Sequence, residues 1–209
     1  MRLDRAGLPF IIGAFVLAAI AGLVVGWPLA IVFVVLGAFC IFFFRDPSRV
    51  PPPADADAIL SPADGRVLVA GPAAADAAPD GQWQQISIFL SLMDVHVNRM
   101  PVSGRVTRVS YRPGKFLPAF KHNAATDNER SEIWVDHRGQ SVVVRQIVGL
   151  LARRVVCRVE SGSNVLAGDR IGVMKFGSRM DVFLPPSATL SVSVGQKVRG
   201  GETVIAVLH

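Results

Sequence analysis

Between residues 9 and 44 the chain carries no charged side chain. A run of that length cannot cover a water-facing surface, so it needs either a buried core or a bilayer. Gly26-Trp27-Pro28 divides it near the middle. Each half is about 17–18 residues, at the short end of what crosses a hydrocarbon core ~30 Å thick. Trp27 suits a membrane interface, and Pro28 suits a turn or the first position of a second helix. Arg2 and Arg5 precede the run and Arg45 and Arg49 follow it, while the turn is uncharged. The positive-inside rule then puts both ends in the cytoplasm. The expectation is a membrane helical hairpin, or a deeply re-entrant anchor, over residues 1–45. A cleaved signal peptide fits less well, because a second apolar run follows directly and no small-residue cleavage site precedes a polar stretch.

The rest of the composition points the same way. Hydrophobic residues make up 51% of the chain, more than a soluble domain of this size requires. Net charge is +6 and the pI is about 10.1, which favours an anionic partner. There is no dense Lys/Arg tract, no aromatic RNA-binding motif and no Cys/His finger. An anionic lipid surface is therefore expected, and nucleic acid is not. The two cysteines, Cys40 and Cys157, form neither a disulfide framework nor a zinc spacing. The four histidines, His96, His122, His137 and His209, are scattered, so no metal site is expected.

Residues 46–57 form a Pro-rich, extended linker. From Ala58 onward, short β-type runs alternate with turn residues. They lie at 58–60, 66–70, 85–90, 102–111, 133–136, 141–148, 155–160, 170–175, 180–184, 189–194 and 203–208. Many strands with Gly/Pro punctuation predict a β-dominated (α+β) barrel or sandwich-like domain over residues 58–209. Residues 112–131 do not read as a strand, and so long a loop is often functional. A short helix is expected at 149–154, and a hammerhead-type turn near 194–203.

Four groups of residues could carry chemistry. Gly177-Ser178 sits between two strand-like runs and by itself reads as a turn. It also pairs a nucleophile with a residue that lets its own carbonyl be approached closely. Asp64, in Ser61-Pro62-Ala63-Asp64-Gly65, reads first as a turn aspartate and second as a carboxylate that orients a histidine. His96 lies in Asp94-Val95-His96-Val97-Asn98-Arg99. Strand alternation would put Asp94, His96 and Asn98 on one face, at the edge of a site. Arg145, Arg153, Arg154, Lys115, Lys121 and Arg130 read as a solvated basic surface or as phosphate partners.

Six motifs then occur in order: Ser61-Pro62-Ala63-Asp64-Gly65, Asp94-Val95-His96-Val97-Asn98-Arg99-Met100-Pro101, Asn128-Glu129-Arg130, Gln146-Ile147-Val148-Gly149, Ala152-Arg153-Arg154 and Phe176-Gly177-Ser178-Arg179-Met180-Asp181-Val182-Phe183-Leu184-Pro185. Over roughly residues 45–209 this resembles the phosphatidylserine decarboxylases in their short bacterial and archaeal form. The resemblance implies a proenzyme that cleaves itself between Gly177 and Ser178 into a β chain, 1–177, and an α chain, 178–209. Ser178 would become a covalent pyruvoyl group that forms a Schiff base with the substrate amine, with no metal and no PLP. It also implies an Asp64/His96/Ser178 arrangement for processing, with His96 as the acid that reprotonates the product. The implied reaction converts phosphatidylserine, in an anionic membrane, to phosphatidylethanolamine and CO₂, with the catalytic domain on the cytoplasmic face of the cell (inner) membrane. Arg153, Arg154 and Lys115 are candidates for the substrate phosphate, and assembly into a homo-oligomer is left open.

One position departs from the pattern. Longer members carry a second histidine three residues after the first, where this chain has Arg99. Either His96 serves both steps or another group takes one. Two rivals remain. A membrane-tethered biotinyl- or lipoyl-like β adaptor would use Lys175 in Met174-Lys175. A β-barrel hydrolase would use Ser178, His96 and Asp64 in an intact chain.

Overall fold

The computed structural model describes every residue except Met1, Ala54, His122, 151–154 and Phe176. The chain divides into two compact units, Met1–Ser48 and Arg49–His209.

In the first unit, β1 (Arg2–Leu3) pairs antiparallel with β2 (Arg45–Asp46). A 3₁₀ turn, Arg5–Gly7, leads into helix α1 (Leu8–Val24), and α2 (Trp27–Phe43) returns beside it. Each helix has 17 residues and so extends about 26 Å. Ala14, Ala18 and Ala21 form a buried stripe at helical spacing, which lets the two backbones approach closely. The other faces stay apolar and exposed: Ile12, Val16, Ile20, Val32 and Val35 all face outward. A helix pair that is apolar all round is not the surface of a water-soluble unit. The span Arg5–Val24 is long and apolar enough to cross a membrane, whereas Trp27–Phe43 is shorter.

The second unit is built from strands β3 (Ala58–Leu60), β4 (Gly65–Pro72), β5 (Gln84–Leu90), β6 (Val97–Arg99), β7 (Gly104–Arg112), β8 (Arg130–His137), β9 (Gln140–Val148), β10 (Val155–Cys157), β11 (Asn164–Val165), β12 (Arg170–Met174), β13 (Ser178–Leu184), β14 (Thr189–Leu190), β15 (Lys197–Val198) and β16 (Val204–Val207). Its described helix, α3 (Ala124–Asp127), is one turn long and lies within the predicted long loop. An eight-stranded sheet runs β11-β7-β8-β9-β13-β5-β4-β15, and two three-stranded sheets run β10-β12-β6 and β14-β16-β3. The main core lies between these layers. Ile86, Ile88, Ile133, Val144, Met180 and Val182 come from the large sheet, and Ile59, Ile171, Met174 and Ile205 from the small ones. Each such side chain contributes about 1.5–3 kcal/mol by leaving water.

The expected choice between barrel and sandwich resolves as a sandwich. Among the described residues, edge strands β11 and β15 do not pair with each other, so the large sheet stays open. Its inner face is covered by the two small sheets instead. Of the helix expected at 149–154, Gly149 and Leu150 are described and are not helical, and the rest lies outside the described residues. The run expected at 155–160 ends as strand at Cys157, and the one expected at 189–194 ends at Leu190.

Candidate active site

Strand β13 is central. All seven of its residues are buried, and it pairs with β5 on one side and β9 on the other. Alternation sends Ser178, Met180, Val182 and Leu184 to the inner face, where the last three join the main core. Ser178 lies opposite Leu90 and Val148 and is fully buried. Its Oγ has no hydrogen-bond partner among the described residues. An orphaned buried hydroxyl costs about 1–3 kcal/mol, so its retention calls for a reason.

The chain enters β13 through Gly177, whose φ of +77° is the left-handed conformation that a side chain resists. A Cβ added at Gly149 would overlap the Gly177 carbonyl oxygen. The carbonyl preceding Ser178 is thus lodged against a position that only glycine can fill. The motif Gln146-Ile147-Val148-Gly149 contains this glycine, but its steric task is set by the backbone of Gly177 across the sheet.

His96 reaches Gly177 from the opposite layer. Asp94 closes a turn by accepting hydrogen bonds from the Ser91 N–H (2.8 Å) and Ser91 Oγ (2.6 Å). The chain then places the fully buried His96 just ahead of β6. The ring Nδ1 lies 3.0 Å from the Asp94 carbonyl oxygen, and the Gly177 N–H donates to Nε2 at 3.3 Å. Nδ1 must carry the proton to donate to a carbonyl, so the Nε2 lone pair faces the Gly177–Ser178 segment. Asp94, His96 and Asn98 do not share the expected strand face. The strand begins only at Val97, because Asp94 is spent on the turn.

Asp64 stands elsewhere than expected. Its Oδ2 accepts from Arg49 at 2.7 Å and its Oδ1 from the Gly200 N–H at 2.8 Å. The atom of His96 it was expected to orient is held by a backbone carbonyl instead. Burial pushes the Asp64 carboxyl above its ordinary pKa and Asp94 adds to the rise, against the pull of the Gly200 N–H and Arg49. Arg99 is buried and donates to the Gly168 carbonyl at 3.0 Å. Lys115 is exposed and pairs with Asp127 at 3.1 Å. Arg153 and Arg154 lie outside the described residues. Lys175, which a biotinyl carrier would present to solvent, is half-buried.

Two residues near the site gain weight from the structure. Gln146 lies opposite Met180, two positions along the inner face from Ser178, and donates to Asn98 Oδ1 at 2.8 Å. Both side chains are fully buried, yet Asn98 Nδ2 and Gln146 Oε1 have no partner among the described residues. Spare polar atoms therefore gather in the interlayer space that holds Ser178. A cavity of about 420 Å³ opens beside Gly177, walled by Phe89, Leu92, Pro118, Phe120 and Leu150. Phe120 and Leu150 are both exposed, so its mouth is apolar. A larger cavity of about 510 Å³ is lined by Pro51, Ser103, His137 and Arg138 and includes none of the residues around Ser178. Among the described residues, no group of three His, Cys, Asp or Glu side chains is placed to hold a metal ion.

Comparison with known proteins bears on this arrangement. The family model described as phosphatidylserine decarboxylase matches residues 36–206. The phosphatidylserine decarboxylase proenzyme of Gluconobacter oxydans is 50% identical over 176 residues, covering 82% of this chain and 77% of its own length. That of Prosthecochloris aestuarii is 43% identical over 198 residues, covering 94% and 90%. That of Wolbachia pipientis wMel is 39% identical over 213 residues, covering 100% and 92%. With the match spanning both β6 and β13, the chain belongs to the phosphatidylserine decarboxylase family.

Proposed function

We propose that this chain is a proenzyme that cuts itself at Gly177–Ser178 and then decarboxylates phosphatidylserine to phosphatidylethanolamine. The observation that carries this reading is local. An unprotonated His96 Nε2 accepts from the N–H of Gly177, the carbonyl of that same residue is lodged against Gly149, and the next residue is Ser178, whose buried Oγ has no partner among the described residues.

Processing follows from these parts. His96 Nε2 exchanges the Gly177 N–H for the Ser178 hydroxyl and takes its proton as Oγ attacks the Gly177 carbonyl carbon. The C–N bond breaks and an ester forms. Loss of the Ser178 Cα proton expels the Gly177 carboxylate and leaves a dehydroalanine. Tautomerisation and hydrolysis then release ammonia. The products are a β chain, 1–177, and an α chain, 178–209, that starts in pyruvoyl. Asp64 acts in this scheme by holding a turn rather than by touching His96. Its burial beside Arg49 fixes the turn that receives β6, since the Arg99 N–H donates to the Pro62 carbonyl at 2.8 Å.

The pocket fits a pyruvoyl group: Ser178 is fully enclosed, and Asn98 and Gln146 offer spare polar atoms on the same face. That group supplies a ketone that condenses with the substrate amine and draws off the electron pair released with CO₂. His96 Nε2 returns a proton to the substrate carbon. The apolar mouth at Phe89, Phe120 and Leu150 accepts the lipid portion of the substrate, and Lys115 lies on the same loop as Phe120 to meet its phosphodiester. The helix pair anchors the chain in the membrane, with residues 46–57 as linker and the catalytic domain, 58–209, on the cytoplasmic side. The basic charge favours an anionic bilayer.

Intact mass of the purified protein under denaturing conditions tests the reading. Two chains that meet at 177/178, the smaller blocked at its N-terminus, are expected, together with CO₂ release from phosphatidylserine. A single intact chain that retains activity would overturn it.

A further inference from the structure

The outer face of the large sheet carries, over β7 and β8, a basin that the proposed reaction does not use. Cross-strand register sets Arg112 beside Arg130 and Arg108 beside Trp134. It also sets Arg145 beside Glu132. These six side chains line a cavity of about 350 Å³. An adjoining cavity of about 270 Å³ shares Arg112, Arg130 and Glu132.

The charges in this basin do not balance. Glu132 is committed to Arg145, which is buried and also donates to the Ala77 carbonyl. Among the described residues, the only other carboxylate lining the cavity is the exposed Asp80. Among the described residues, Arg108, Arg112 and Arg130 have no carboxylate at ion-pair distance. Two of them are nonetheless held in place. Arg130 donates to the Ala125 and Thr126 carbonyls at 3.0 and 2.6 Å, and Arg108 lies 4.4 Å from the centre of the Trp134 ring. Burial first, and then the charges of Arg145 and Arg112, lower the pKa of Arg130. A second, independent observation concerns a neutral donor. Trp134 Nε1 is buried and has no acceptor among the described residues. Fixed guanidinium forks with a spare N–H in one recess are the donor set for an anion with several oxygens.

We propose that this basin binds a phosphate group, carried by a lipid headgroup or by soluble phosphate. The site is distinct from the one at Ser178. Arg130 lies in register with Ile147 and Arg179 on the outer face, whereas Ser178 points into the core. The proposal does not depend on the decarboxylase reading.

The test uses the full chain in detergent at matched ionic strength. Three probes are titrated by calorimetry and thermal shift: inorganic phosphate, a short-chain phosphatidic acid and a short-chain phosphatidylcholine. Saturable binding is expected, weakened at least about tenfold by the double variant Arg112→Gln/Arg130→Gln. It should survive in Arg105→Gln/Arg199→Gln, which removes the same charge elsewhere. Trp134→Phe keeps the ring and removes the N–H, so it also weakens binding, and it serves if the double variant does not fold. Binding of both phosphate and phosphatidic acid identifies the phosphate group itself as the ligand, and binding of phosphatidic acid alone identifies a lipid headgroup. Absence of saturable binding, equal loss in the control variant, or unchanged affinity in whichever basin variant folds would each overturn the proposal.

Discussion

The two faces of β13 are built on opposite rules. On the outer face Arg179 pairs with Asp181 at 2.7 Å and donates to Ser87 at 2.8 Å, and Gln85 completes Asp181 at 3.2 Å. One strand over, Arg145 answers Glu132 and lies 4.8 Å from the centre of the Phe183 ring. The fully packed charges Arg179, Asp181 and Arg145 each have a partner of opposite sign. On the inner face, among apolar side chains, Ser178 Oγ, Asn98 Nδ2 and Gln146 Oε1 go without partners among the described residues. A satisfied network holds a strand in register, whereas unsatisfied groups persist where something other than stability retains them. The strand's charges are therefore its scaffold, and its one plain hydroxyl is its chemistry.

Substitutions on each face test that contrast. Ser178→Ala on the inner face should abolish both cleavage and decarboxylation while leaving the fold intact, as read by a denaturing gel and CO₂ release. His96→Ala should slow cleavage by about 10²–10⁴-fold, the usual worth of a positioned base, measured as the rate at which precursor disappears. Full-speed processing by this variant would remove His96 from the step. On the outer face, Asp181→Ala strands the buried Arg179 and should cost about 3–5 kcal/mol of stability, seen as an early thermal transition in detergent. The smallest effect belongs to the surface. Lys115→Gln breaks an exposed pair with Asp127 and should raise KM for phosphatidylserine by about two- to fivefold at most. The Lys115 hydrogen bond, and then its charge, hold the Asp127 carboxyl below its ordinary pKa. That pair therefore contributes above the pKa of a free aspartate and is lost as pH falls through the depressed value.

Much of the scaffold was legible in the sequence, because alternation and turn residues mark long strands. The runs 85–90 and 141–148 reappear within a residue as Gln84–Leu90 and Gln140–Val148. Strands of two or three residues, such as Asn164–Val165 and Lys197–Val198, have too few positions to show a period. The buried charges were harder. Arg145 read as a surface or phosphate-binding residue, since nothing nearby in the chain announces Glu132 across the hairpin. Arg179 and Asp181 did carry a signal: two opposite charges at strand spacing, set among apolar neighbours, belong to one face. The site was half visible. Ser178, Gly177 and His96 stand out as residues, but the partner of Asp64 is Arg49, which the linker brings from outside any motif. The carbonyl that fixes the His96 tautomer belongs to a backbone whose turn could not be read in advance.

The central position of β13 has a mechanical consequence. A cut at Gly177–Ser178 severs the chain at the very start of a strand flanked by partners on both sides, with Ser178 through Phe183 in register with β9 and Ser178 through Leu184 with β5. Farther along, β16 pairs with β3, and β15 with β4. The two fragments would then behave as a clasped buckle: one covalent link is gone, yet β13, β15 and β16 of the smaller piece stay paired with the larger, and β14 is held through β16. The new terminus is free to change chemically, but it has nowhere to go. Under the proposed cut, maturation would need no docking step and no dependence on protein concentration, and denaturation would be required to part the two pieces.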